Sequence, residues 1–308
     1  MAGSSKKAIY AALIGNALIA VTKFAAATYT GSSAMLSEGI HSLVDTGNQV
    51  LLLYGMKRAK RPPDAEFPFG HGKEIFFWSF VVAMLIFALG GIISIYKGWQ
   101  HLAHPVPIVN LSINYAVLCL ALIFEGAALW VAFKEFNRSR GSLGFIKAVT
   151  RGKDPTLFVV IFEDSAALLG LLIALLGTFL YQLTGNSVFD GLASISIGLV
   201  LILTAFVLAV ESKKLLIGES ADPQIAAEMR EILSQDKRIQ SVNEIATLHM
   251  GPEFILATIS VDFLDALSAD QLEDSVTALT KKIKAIDSRI QRVFIEAEHK
   301  EDHRTGTS

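Results

Sequence analysis

Ser37-Glu38-Gly39-Ile40-His41-Ser42-Leu43-Val44-Asp45-Thr46-Gly47-Asn48 decides how this chain is read. The stretch lies inside a segment of membrane-spanning length, yet it carries Glu38, His41 and Asp45. His41 and Asp45 are four residues apart. On a helix they share one face, one turn above the other, roughly 6 Å along the axis. An ionisable group at membrane depth costs about 2.5 kcal/mol or more, so it faces a partner, a cavity or an ion. A neutral imidazole and a carboxylate one turn apart suit half of a divalent-metal site, and the remainder of the chain is expected to supply the other half.

Working outward, apolar residues make up 52% of the 308 and are unevenly spread: the long apolar runs fall between residues 8 and 217, while 219–308 reads as a soluble domain. A span needs about 20 apolar residues. Six segments qualify, at about 9–27, 33–54, 75–96, 113–133, 156–180 and 188–210. Lys57, Arg58, Lys60, Arg61 and Lys73 fall between spans two and three. Lys134, Arg138, Arg140, Lys147, Arg151 and Lys153 fall between four and five, and Lys213 and Lys214 follow span six. The opposite loops hold only Lys97. Loop charge therefore predicts both termini in the cytoplasm, for a multi-pass protein of the cell (inner) membrane. No cleavable signal sequence is read at the N-terminus. The single cysteine, Cys119, leaves no internal disulfide. A net charge of −2 without a basic stripe argues against nucleic acid as a partner.

Span five reads Val160-Ile161-Phe162-Glu163-Asp164-Ser165-Ala166-Ala167. It holds two acids at depth, and the small residues after them, with Gly170, permit close helix approach. Spans two and five are therefore expected to pair across a shared polar site, with the other four as scaffold. Lys23 in span one and Glu125 in span four either pair with each other or line a proton path, and pairing is the preferred reading. Asp190 is read as polar surface or a helix-end contact.

The domains divide as 1–217, 218–299 and a disordered 300–308. In the soluble part, Asp222-Pro223 opens a helix to about residue 235. Strands follow at 241–250 and 254–263, around a Gly251-Pro252-Glu253 turn. Ser268 caps a second helix to about 286, and a last strand covers 289–297. The α-β-β-α-β order predicts a small α+β, ferredoxin-like or metallochaperone-like domain whose exposed sheet favours a homodimer.

These features together resemble the cation diffusion facilitators, six-span proton-coupled exporters of zinc and related divalent metals. The resemblance rests on His41-Ser42-Leu43-Val44-Asp45, on Phe69-Gly70-His71-Gly72-Lys73 before span three, on Asp164-Ser165 in span five, and on the α-β-β-α-β tail. It covers nearly the whole chain, and the Glu-Asp-Ser of span five marks a sub-branch. It implies an α-helical membrane protein exchanging cytoplasmic zinc for protons, with lipid, metal ions, protons and a second copy as partners and no prosthetic group. The family draws two ligands from span two and two from span five. Carried over, these are His41, Asp45 and Asp164. The fourth position holds Val160, which cannot ligate, leaving Glu163, Asn48 or water. A loop site would use Asp64 and His71, although Phe67 stands at a partner position. A site in the cytoplasmic domain would use His249, Glu296 and Glu298, although Thr258 and Glu296 stand where histidines are expected.

One imidazole with two carboxylates also suits manganese, iron(II) or cobalt, the alternative cargoes. Of other classes, an integral-membrane metalloenzyme would need a separate general base and nucleophile. Neither Gly-x-Ser-x-Gly nor His-Glu-x-x-His occurs. An ATP-driven pump is disfavoured by the lack of a Gly-x-x-x-x-Gly-Lys-Ser/Thr loop. A channel would need a continuous polar stripe rather than polar groups at one depth.

Overall fold

The computed structural model describes residues 2–139 and 155–301. Its described part contains six long helical rods. These are α1 (Ala2–Thr30), α2 (Ser33–Ala59), α3 (Glu74–Leu85) continuing through a π-helical stretch (Ile86–Ile92) into α4 (Ile93–Ala103), α5 (Leu111–Ser139), α6 (Pro155–Thr184) and α7 (Val188–Ile217). At about 1.5 Å per residue, each rod is longer than the hydrocarbon core of a bilayer. Among the described residues, Glu74–Ala103, Leu111–Lys134, Phe158–Thr184 and Val188–Ile217 are apolar enough to cross a membrane by composition alone. Helix α2 is polar for a reason visible in its packing: Ser37, Glu38, His41, Ser42 and Asn48 are all buried.

Small residues bring the scaffold rods close together. A Cβ on Gly98 would stand 2.7 Å from the Gly191 carbonyl, and one on Gly198 would stand 2.7 Å from the Gly91 carbonyl. Both glycines of each helix are seven residues, two turns, apart, so the backbone of α7 lies against the π-helical stretch and α4 with no room for side chains. Between the two glycine contacts, Ser194 Oγ donates to the Ser94 carbonyl (2.9 Å) and lies 2.7 Å from Ser37 Oγ on α2. The π-helical stretch was not foreseen, because an unbroken apolar run shows no change of period where one residue is added to a turn.

Asp190, expected as polar surface or a helix-end contact, proves to be the latter and is fully buried. It accepts hydrogen bonds from Ser32 Oγ (2.6 Å) and from the Ser33 and Ala34 N–H groups (2.5 and 3.3 Å). A carboxylate from α7 thus caps the free amides that begin α2. Gly31, at φ +75°, makes the tight turn that delivers them.

The chain divides into two compact units: the residues up to Lys57 with Ile75–Lys213, and Arg58–Glu74 with Lys214 onward. In the second, α8 (Pro223–Ser234), β1 (Ile239–Gly251), β2 (Phe254–Phe263), α9 (Ala269–Lys284) and β3 (Ile290–Ala297) follow the α-β-β-α-β order. Sheet order is β1-β2-β3, with β1 and β2 antiparallel and β2 and β3 parallel. Alternate residues Ile255, Ala257, Ile259, Val261 and Phe263 of β2 meet Ile225, Met229 and Leu233 of α8 and Leu279 and Ile283 of α9. Asp222 caps α8, and Ser268 with Gln271 forms a capping box on α9. The loop Arg58–Glu74 belongs to this unit: a side chain at Gly72 would collide with the Met250 carbonyl. Of the tail expected to be disordered, Lys300 and Glu301 are helical. The remainder, and the basic residues Arg140, Lys147, Arg151 and Lys153, lie outside the described residues.

Candidate metal site

Helix α2 presents Glu38, Ser42, Asp45 and Asn48 at spacings of three and four, so they share a face, and His41 lies on it as well. His41 is 1% exposed, with Nδ1 3.3 Å from Asp45 Oδ1. The pair is close, yet the angle does not make a hydrogen bond: His41 Nδ1, His41 Nε2 and Asp45 Oδ1 are buried without a hydrogen-bond partner. Buried polar atoms are nearly always paired, so three unpaired atoms on one helical turn mark a place prepared for something else.

One turn further along, Asn48 Nδ2 donates to Glu163 Oε1 of α6 at 2.7 Å, both residues buried. This bond joins α2 to α6, as span two was expected to join span five. The Asn48 Oδ1 atom stays unpaired. Glu163 is thereby engaged with Asn48. Asp164, the next residue, is turned about 100° around the helix from it. The charges of Asp45, Glu163 and Asp164 lie near enough to act on one another, and Asp164 also feels Glu125. The side chains of His41, Asp45 and Asp164 are not drawn around one point: among the described residues, no three His, Cys, Asp or Glu side chains stand as a ready metal cage.

Beside this group lies a buried ion network that the sequence anticipated only in part. Lys23 Nζ on α1 is 3.1 Å from Glu38 Oε2, donates to Ser42 Oγ at 2.7 Å, and stands 3.9 Å from Glu125 Oε1 on α5. Pairing with Glu125 was expected. The nearer partner is Glu38, because a lysine four methylenes long reaches α2 before α5. Sequence spacing cannot choose between two carboxylates on different helices. A lone lysine at span depth nevertheless signals that some carboxylate must face it.

The loop candidates do meet. His71 Nε2 is 2.9 Å from Asp64 Oδ2, and the His71 ring rests on Phe67, centroids 4.6 Å apart. His71, with the Phe67 and Glu66 N–H groups, holds the Asp64 carboxyl below the usual aspartate range. Phe67 thus serves as a ring platform where a ligand was sought. The three candidates of the tail do not converge. His249 pairs across the ladder with Ile255, whereas Glu296 stands beside Ser260, five residues further along β2. That separates them by roughly 16 Å at about 3.3 Å per residue. Glu298 accepts from Ser260 Oγ at 2.7 Å, and Glu296 is exposed.

Long helices around buried ionisable groups, followed by a small α/β unit, define an integral membrane protein with a polar interior. The chain belongs to the cation efflux, or cation diffusion facilitator, family: the family model described as the cation efflux transmembrane domain matches residues 9–217. It is 35% identical over 83% of its length to the mouse protein named proton-coupled zinc antiporter SLC30A9, mitochondrial, of which the match covers 46%. It is 33% identical over 84% of its length to metal tolerance protein C4 of Arabidopsis thaliana, covering 57% of that protein. It is 23% identical over 94% of its length to the manganese efflux system protein MneP of Bacillus subtilis, covering 95% of it. The chain spans about half the length of the first two of these curated relatives.

Proposed function

We propose that this protein is a secondary active transporter that carries a divalent cation, zinc in the first place, out of the cytoplasm in exchange for protons. The cation is taken between α2 and α6 by His41, Asp45 and Asp164, with Glu163 and Asn48 holding the two helices in register. The observation that supports this reading most is the set of unpaired, buried atoms of His41 and Asp45 on one turn of α2, facing the acids of α6. Imidazole nitrogen and carboxylate oxygen bind a dication only when deprotonated, so metal and protons compete for the same atoms. Exchange follows without covalent chemistry when α2 and α6 move together. A site that is open in one conformation must be drawn closed around the ion in another, which accords with the spacing seen here.

The cytoplasmic side is assigned from the basic loops and tail, in a cell (inner) membrane. Pairing of two copies is supported by the open face of the sheet, where Phe294 is 48% exposed beside Thr258. Manganese, iron(II) or cobalt is the second reading for the cargo, since one imidazole among several carboxylates is a hard donor set. Purified protein in sealed liposomes tests the function: zinc entry must move protons the opposite way, and His41→Ala must lower that coupled flux at least tenfold (about 1.4 kcal/mol in the barrier). Zinc entry without counterflow of protons contradicts the exchange. Unchanged flux in His41→Ala contradicts the site.

A further inference from the structure

Lys23 is fully buried in the C-terminal third of α1, and its ammonium group stands 3.1 Å from Glu38 Oε2, donates to Ser42 Oγ and lies 3.9 Å from Glu125 Oε1. Glu38 and Ser42 flank His41 on the same face of α2, so this ammonium sits one turn from the residues assigned to the cargo. Glu38 is fixed from a third side as well: a Cβ on Gly170 of α6 would run into its Oε1, so the glycine there makes room for the carboxylate. Among the described residues, Lys23 thus stands against Glu38 and Glu125, and its charge also reaches Asp45, which in turn feels Glu163 and Asp164 of α6. Without that lysine, Glu38 and Glu125 would be free oxygen donors beside an imidazole and an aspartate.

We propose that Lys23 is a specificity-determining positioning residue, a tethered cation that engages Glu38 and Glu125 and keeps their oxygens out of the cargo's coordination. This inference rests on the transport reading above. Its physical basis is donor chemistry. Zinc is satisfied by four ligands with nitrogen among them, whereas manganese takes six oxygen-rich ones. Each carboxylate that Lys23 withholds tilts the site away from the harder ion. The single positive charge also sets how strongly the acidic cluster attracts any dication, since at separations below 10 Å a charge is weakly screened in the interior.

The test is initial-rate transport of zinc and of manganese by the full chain in liposomes, as kcat/KM for each metal, for the wild type and four variants. Lys23→Met is expected to lower the zinc-to-manganese ratio about tenfold, the scale of one charge coupling of 1.4 kcal/mol. Lys23→Arg keeps the charge and should hold the ratio within about twofold of wild type. Glu38→Gln removes the nearest counter-charge of Lys23, makes the cluster one charge less negative and should raise KM for both metals. The double variant Lys23→Met/Glu38→Gln, neutral in sum, should bring KM back down. That cycle decides the matter even where Lys23→Met alone does not fold. A parallel loss for both metals with an unchanged ratio in Lys23→Met overturns the proposal, as does a double variant no better than Glu38→Gln. If the wild type carries neither metal, the transport reading itself has failed, a result distinct from either of these.

Discussion

The two units of this molecule carry charges in opposite ways. In the soluble unit, two aspartate–arginine pairs are local and reach water through their arginines. Asp236 with Arg238 and Asp287 with Arg289 are two residues apart, at 2.6 and 2.7 Å, with their arginines about one-third exposed. In the membrane unit, Lys23, Glu38 and Glu125 come from three helices and are almost wholly out of water. A surface pair is nearly neutral to stability, while a buried charge is tolerated only with its partner in place. The contrast teaches that a charge network buried in a membrane fold is kept for what it does rather than for the stability it adds.

The largest expected effect follows from breaking the buried network. Lys23→Met leaves two carboxylates without their cation and should destabilise the membrane unit by about 3–5 kcal/mol, read as a lower melting temperature in detergent. A melting point within error of wild type would show that the network is not held as described. A middle-sized effect belongs to the soluble unit. Asp222 accepts from the Gln224 N–H at 2.9 Å at the start of α8, and Asp222→Ala should cost about 1 kcal/mol in chemical denaturation. The smallest effect belongs to the surface pairs. Arg238→Ala should change stability by about 0.2–1 kcal/mol, and less in high salt.

Those surface pairs also carry a pH signature. Hydrogen bonds from Arg238 and Arg289 hold the carboxyls of Asp236 and Asp287 below the ordinary aspartate value of 3.8, as His71 does for Asp64. A carboxyl whose folded pKa is depressed stabilises the fold at pH above its unfolded value. That contribution fades as pH drops through 3.8 and is gone below the folded value. The soluble unit should therefore resist chemical denaturant slightly less well at about pH 3 than at about pH 5, by no more than the roughly 0.2–1 kcal/mol that each aspartate–arginine pair contributes, and Arg238→Ala should shrink that difference.

Much of the fold was legible because both units obey a simple period. Apolar runs of span length gave six rods, and alternation through Ile255, Ala257, Ile259 and Val261 gave the central strand of a sheet covered by helices. The meeting of α2 with α6 was legible from depth alone, since acids in two spans need a shared polar site out of lipid, and Asn48 with Glu163 supplies the contact. What stayed hidden depends on side-chain reach across helices. Lys23 finds Glu38 rather than only Glu125, Asp190 caps α2 from α7, and Asn48 engages Glu163. Register between rods decides each of these, and no spacing within one rod records it. The tail candidates His249, Glu296 and Glu298 do not gather for the same reason: β-ladder register places His249 beside Ile255 at one end of β2, and Glu296 and Glu298 beside Ser260 toward the other.

Calorimetric titration of zinc into the purified full chain tests the central claim most directly, comparing wild type with Asp164→Ala and with His71→Ala. The account predicts that the tightest site vanishes in Asp164→Ala and survives in His71→Ala. A tight site that persists in Asp164→Ala, or disappears in His71→Ala, would place the metal away from α2 and α6 and contradict it.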